Sequence, residues 1–130
     1  MADKVIQLMS EDGLDYLYPK GVQQIGPNFI KFTNGVMFEW GKVVIAHTCT
    51  KAWGNFYETS GKVSFGNFPE PFISGCTPVT ILRCFTANVS FTETIESSNT
   101  EIANTWIYRP KSGSDLSTNF VYFSIGRWKE

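Results

Sequence analysis

The chain has one histidine, no CxxC pair, no run of basic residues longer than two and no apolar window that approaches a membrane span. Each absence removes a class of function. Any Ser-His-Asp or Cys-His nucleophile must use His47, the sole imidazole. Eleven Lys+Arg against twelve Asp+Glu, without a basic stripe, leave no nucleic acid and no anionic membrane surface among the expected partners. No membrane insertion is expected either. The first residues, MADKVIQLMSEDG, lack the basic start, apolar core and small-residue cleavage site of a signal peptide, so the product is expected to fold where it is made. Cys49, Cys76 and Cys84 are odd in number and lack metal-ligand spacing, and they read as small buried hydrophobes. Gly61, Gly66 and Gly75 form no phosphate loop. No cofactor and no metal are implied. A helical period nowhere persists for the ten or so residues a globular helix needs, and there is no internal repeat.

What is present is aromatic. At 130 residues the chain suits a single cored body, and with eleven Phe and four Trp its apolar content sits in rings and β-formers. The expected class is all-β, an antiparallel β-sandwich with a small N-terminal β-hairpin arm. The clearest local signal is NFIKFTNGVMFEWG, Asn28 to Gly41, in which two alternating runs flank Asn34-Gly35. An Asn-Gly pair there predicts a two-residue type I′ hairpin turn with positive φ at both central residues.

Ahead of it, Val5 to Met9 and Leu14 to Tyr18 flank a polar turn and read as a hairpin arm over residues 1–20, with Gly21 to Pro27 as connector. The division is thus residues 1–27 for arm and connector and 28–130 for the body. An arm this small cannot bury a core of its own, so it must pack on the body, a neighbouring subunit or a larger assembly.

Beyond the hairpin, Trp40-Gly41-Lys42 predicts a bulge that bends the strand before it resumes at Val43 to His47. Thr48 to Gly61 reads as an exposed loop and Lys62 to Phe65 as a short strand. Asn67 to Phe72, with two prolines, must cross between strands, anchored by Phe68 and Phe72. Pro78 to Ala87, Val89 to Ile95 and Ile102 to Arg109 read as strands, and Pro110 to Ser117 as a long flexible loop. The last strand, Phe120 to Trp128, is apolar on both faces, which calls for a cover outside its own core. A subunit interface is the simplest one.

Groups for catalysis are sparse. His47 and Cys49 fall on one face of a strand at i, i+2, yet nothing near them resembles a nucleophile elbow or an oxyanion loop. They read as a strand-end histidine beside a packed thiol. Glu93, Glu96 and Glu101 lack the dense oxygen pattern of a calcium loop and read as solvated turn charges, as do Glu11 and Asp12. The more telling set is ring plus polar: Trp53, Asn55 and Tyr57, and Tyr108 with Arg109. Such rings stack on the apolar face of a pyranose while amide and guanidinium groups bind its hydroxyls, so these five are the candidate glycan-binding residues. Packing in core or interface is the alternative for half of them.

The residues also carry a resemblance. Phe29 to Gly41, FIKFTNGVMFEWG, is similar to the "YIKFSNGLIIQWG" signature of bacteriophage tail-fibre C-terminal domains and related prophage tail and baseplate proteins. Val63-Ser64-Phe65 leading to Phe68-Pro69-Glu70-Pro71-Phe72, then Thr77-Pro78-Val79-Thr80, then Phe123-Ser124-Ile125-Gly126-Arg127-Trp128, close to the family's "WIAIGRW", follow in the family's order. The resemblance covers residues 28–130. It implies a β-sandwich knob, homotrimeric, at the distal end of a fibre or baseplate appendage, made in the bacterial cytoplasm and assembled into the virion tail. It further implies other tail proteins and a host cell-surface glycan as partners, without catalysis. The sequence reads as a knob plus an arm without a long fibre shaft, for which a small separate tail subunit is the expectation, and its Thr48 to Gly61 and Pro110 to Ser117 loops match no family pattern, so the resemblance assigns no binding residue. A purely structural tail-assembly subunit is the alternative, and a polysaccharide-degrading enzyme a distant third.

Overall fold

A computed structural model describes residues 20–85, 90–92 and 96–130. Among them every regular element is a strand and every pairing is antiparallel, so the chain is all-β. The strands are β1 (Val22–Ile25), β2 (Phe29–Phe32), β3 (Val36–Trp53), β4 (Phe56–Thr59), β5 (Val63–Ser64), β6 (Val79–Cys84), β7 (Phe91–Thr92), β8 (Asn104–Thr105), β9 (Ile107–Arg109) and β10 (Gly113–Arg127). The expected arm hairpin lies outside the described residues. Of the expected strand over Val89 to Ile95 only β7 is described.

One large sheet dominates. β10 pairs with β3 from Arg127↔Val36 to Gly113↔Cys49 and, on its other edge, with β6. The free edge of β3 takes β2 near its start and β4 near its end, β1 adds outside β2, and β9 and β7 extend from β4. The second layer is narrow. β5 and β8 form a two-stranded sheet, prolonged where Phe65 N–H donates to Ala103 O (2.8 Å), Phe68 N–H to Thr100 O (2.8 Å) and Phe72 N–H to Asn99 O (2.9 Å). Between the layers lie Met37, Ile45, Cys49, Phe120 and Tyr122 of the large sheet against Phe65, Phe68, Phe72, Ile102 and Ala103. Phe68 and Phe72 anchor the proline-bearing crossing as expected, their rings edge-to-face at 4.9 Å. Phe65 meets Phe120 in the same manner at 5.0 Å. Ring pairs of this kind add about 0.5–1.5 kcal/mol each beyond burial.

Several expectations are corrected. The hairpin stands, but its turn is Phe32 to Gly35, closed by Gly35 N–H to Phe32 O at 3.0 Å. Only Gly35 has positive φ, at 94°. This is a three-residue connection, a turn followed by a left-handed glycine, and not the two-residue type I′ turn. The Asn34 side chain accepts the Val36 N–H at 3.1 Å instead of the residue adopting positive φ itself. No bulge occurs at Gly41. β3 alternates through it in unbroken register with β10, opposite Tyr122, and a Cβ at this position would lie 2.8 Å from that ring. The glycine makes room for a tyrosine and does not bend the strand. Among the described residues, register shifts fall instead at Val22/Gln24, Cys49/Lys51 and Gly113/Leu116.

Thr48 to Gly61 is not a loop. β3 runs on to Trp53 and returns through Gly54-Asn55 as β4, because the threonines and rings of this stretch are good strand formers. Pro110 to Ser117 contracts to residues 110–112, its Gly-Ser-Asp run absorbed as a bulge in which Asp115 has φ 51°. The strand expected over Ile102 to Arg109 breaks at Trp106, since β8 belongs to the small sheet and β9 to the large one. The connector Gly21 to Pro27 contains β1.

The tail of β10 locks the opening turn. Trp128 N–H donates to Gly35 O (2.9 Å), its indole Nε1–H to Phe32 O (2.9 Å), and Arg127 Nη2 to Asn34 O (2.9 Å). The Lys31 amine sits over the Trp128 ring at 5.1 Å and pairs with Glu70 at 2.5 Å. Gly35→Ala combines a left-handed backbone with a Cβ 2.3 Å from Arg127 and 2.9 Å from the Lys129 carbonyl. A loss of about 2 kcal/mol or more is expected from strain of this kind, read as a lower urea midpoint with unchanged slope. An unchanged midpoint would show that the turn does not need its glycine.

Candidate functional site

The ring-bearing end of the sheet is made by the last turn of β3, the Gly54-Asn55 reversal, β4 and β9. Cross-strand partners share a face, and the register sorts the five candidates. Trp53 pairs with Phe56, and Glu58 pairs with both Lys51 and Tyr108, so Trp53, Glu58 and Tyr108 lie on the outer face. Tyr57 pairs with Ala52 and Arg109, and these share the inner face with Cys49 and Thr59. The structure therefore brings Trp53 and Tyr108 together, with ring centroids 5.0 Å apart, and sets Tyr57 and Arg109 on the other side. Trp53 is 47% exposed, Tyr108 only 5%. Beneath the rings Lys51 Nζ pairs with the buried Glu58 at 3.1 Å. Asn55 is exposed in the turn, Tyr57 packs against the core, and Arg109 Nη1 donates to Lys111 O at 3.4 Å.

His47 and Cys49 both point inward and engage different partners. His47 Nδ1–H donates to Ile45 O at 3.2 Å, which leaves Nε2 as the bare nitrogen. Burial holds this imidazole below its ordinary value, so it stays neutral. The Cys49 thiol donates to Ile107 O at 3.3 Å, and burial raises its pKa. A thiol held protonated and aimed at a carbonyl is no nucleophile for its neighbour to activate. A recess of about 240 Å³ opens beside them, lined by His47, Thr59, Ser60 and Lys62 among others. The turn carboxylates are engaged: Glu96 pairs with Lys62, whose amine lies 5.0 Å over the Trp106 ring, and Glu101 accepts from Ser64 Oγ at 2.7 Å. Glu93, Glu11 and Asp12 lie outside the described residues.

Sequence reasoning passed over the most perturbed acid. Glu39 is fully buried, opposite Ser124 on the inner face, and one oxygen accepts the Glu70 N–H at 3.1 Å while Oε1 has no partner among the described residues. Desolvation, with a smaller push from the Glu70 charge, raises its pKa to about 7. Tyr122, desolvated and beside the Glu39 charge, is pushed up to about 12. Strand alternation puts Glu39 on the face of Met37, a signal masked in the sequence by the stronger apolar pattern of Phe38 and Trp40 on the opposite face.

No family model matches the chain, and no curated protein does. Two solved structures are similar to it. An N-truncated R1-type pyocin tail fibre is 17% identical with a TM-score of 0.48, over 84% of this chain and 86% of that one. A C-terminal fragment of a P. aeruginosa R1 pyocin fibre is 15% identical with a TM-score of 0.41, over 84% of this chain and 28% of that one. Both scores lie below 0.5, and the all-β assignment stands on the chain's own ladders.

The Glu39 shift fixes a pH dependence. Below pH 4.5 the acid is protonated folded or unfolded. Between 4.5 and about 7 the folded state keeps a proton that the unfolded state releases, so stability falls as pH rises and levels off above 7. The full loss is about 3 kcal/mol, from the free-energy equivalent of the shift. Glu39→Gln should flatten the profile and stabilise the chain at pH 8. Urea midpoints at pH 5 and pH 8 for both proteins test this, and an equal slope in the two would acquit Glu39.

Proposed function

We propose that the chain is a phage or prophage tail component, of fibre or baseplate, that binds a host-surface glycan without catalysis. What carries the reading is that the segments of the ordered tail-fibre resemblance touch one another. Lys31 and Glu39 of the first segment engage Glu70 of the second, while Asn34 and Phe32 receive Arg127 and Trp128 of the last. Mutual contact is a physical reason for such segments to travel as one signature.

On this reading the glycan contact is at the ring-bearing end. The half-exposed Trp53 indole offers a stacking face, Tyr108 supports it from beneath, and Asn55 supplies amide hydrogen bonds at the turn. Tyr57 and Arg109 hold β4 to β9 from the inner side. The chain assembles as a homotrimer and with other tail proteins.

Fluorescently labelled full chain applied to a glycan array and to host cells tests the site. Trp53→Ala should weaken binding tenfold or more, equivalent to about 1.4 kcal/mol, while Tyr57→Phe leaves it unchanged. Equal binding by Trp53→Ala would remove this site. A wild-type chain that binds neither glycan nor cell would favour the structural tail-assembly subunit, a reading supported by the apolar outer face of β6 and β10. Light scattering at micromolar concentration should return three chain masses, and a monomer would end the trimer assignment.

A further inference from the structure

The turn between β2 and β3 is built from a dipeptide prone to close on itself. An asparagine is thermolabile because the next backbone nitrogen can attack its side-chain carbonyl carbon, and a following glycine leaves that nitrogen least hindered. Asn34 is the only asparagine in the chain with glycine after it; the others precede Phe, Val or Thr. The fold nevertheless requires the pair. Gly35 has φ 94°, and the Arg127 guanidinium stands where a Cβ would. Asn34 Oδ1 accepts the Val36 N–H at 3.1 Å, a contact suited to a short polar side chain.

The same turn is tied against the reaction. Ring closure needs the peptide plane between Asn34 and Gly35 to swing until the glycine nitrogen faces Cγ, a near-attack geometry. Both poles of that plane are held. Gly35 N–H donates to Phe32 O at 3.0 Å, and Asn34 O accepts from Arg127 Nη2 at 2.9 Å. Trp128 adds two bonds, its N–H to Gly35 O and its indole Nε1–H to Phe32 O, each at 2.9 Å. Three of these four bonds reach back from the end of β10 and the residue beyond it. The plane is free to swing only when that end lets go.

We propose that Asn34 is a site of spontaneous deamidation kept closed by the Arg127–Trp128 latch. When the latch opens, base removes the Gly35 N–H proton and the nitrogen bonds to Asn34 Cγ. The Cγ–Nδ2 bond breaks, and the departing nitrogen takes up a proton from water and leaves as ammonia. Water then opens the succinimide at either carbonyl, giving aspartate or isoaspartate at position 34 with no change of oxidation state. Isoaspartate routes the backbone through Cβ and Cγ, so the turn gains a carbon and the carbonyl that Arg127 held becomes a side-chain carboxylate. Phe32 O and Gly35 O flank the insertion and no longer meet the Trp128 donors together. A transient opening at the end of β10 is thereby made permanent. The step is independent of what the chain binds.

The full chain, incubated at mildly alkaline pH either folded or in urea, tests this. The tryptic peptide from Phe32 to Lys42 is read by mass spectrometry, with isoaspartate assigned from its backbone fragments. Folded wild type should deamidate at Asn34 about a hundredfold more slowly than the chain in urea, because reaction through a rare open state follows the population of that state. Arg127→Ala should speed the folded rate about tenfold, the share of one charge-assisted hydrogen bond. Trp128→Phe should act in the same direction. Ile45→Val, a core change paired with Thr118 far along the ladder from the turn, should leave the folded rate unchanged. Equal rates folded and in urea would overturn the protection, and no reaction in urea would remove the site. A slow folded rate that Arg127→Ala and Trp128→Phe leave unaltered, or that Ile45→Val raises as much as they do, would overturn the latch.

Discussion

Two strands, Val36–Trp53 and Gly113–Arg127, pair along almost the whole of their length, and the other elements hang from that ladder. Its second edges take β2, β4 and β6, its inner face supplies Phe120, Tyr122 and Met37 to the core, and its far end carries the ring-bearing turn. A long antiparallel ladder is a rigid support only if its register is unique. Here hydrophobicity alone cannot choose it, because Val36, Phe38 and Trp40 alternate with Met37 and a buried acid, and a one-residue slip would exchange one mixed face for another. What pins the register is specific: a glycine opposite the Tyr122 ring, a carboxylate that accepts the Glu70 N–H, and a turn bonded to Arg127 and Trp128.

That same ambiguity explains what could be read from the sequence. The all-β class, the first hairpin and the Phe68 and Phe72 anchors were legible, since rings, turn residues and prolines act locally. Strand length was not. Thr48 to Trp53 and Gly113 to Ser117 look like loops by composition, yet each lies against a partner strand that keeps its backbone extended. The bulge was expected at Gly41 because glycine weakens a strand, whereas the close approach of Tyr122 needs one there. The candidate site was legible as a set of residue types and illegible as a constellation. The shift at Cys49/Lys51 decides which rings share a face, and it leaves no local mark in the sequence.

The interior is more polar than the composition implies. Glu39, Thr105, Thr118 and Ser124 are fully buried, and Ser124 Oγ and Thr80 Oγ1 hydrogen-bond at 2.7 Å. A buried acid that accepts only one hydrogen bond is more easily held neutral than charged. The core is therefore best satisfied on the acid side of neutrality, and the 67–72 crossing, tied to the sheet through Glu39 and the Lys31–Glu70 pair, is the segment most exposed to a change in that charge.

The position of β10 in the chain has a kinetic consequence. The strand that fills the gap between β3 and β6 comes last among the described strands, and its partner Val36 stands about ninety positions ahead of Arg127. Pairings this distant in sequence slow folding, because the intervening loop must close before any contact rewards it. Until β10 arrives, one edge of β3 is an unpaired, ring-rich template for any other strand nearby. A chain emerging from the ribosome holds that edge open until β10 has been made, so the wait for β10 is a step prone to aggregation.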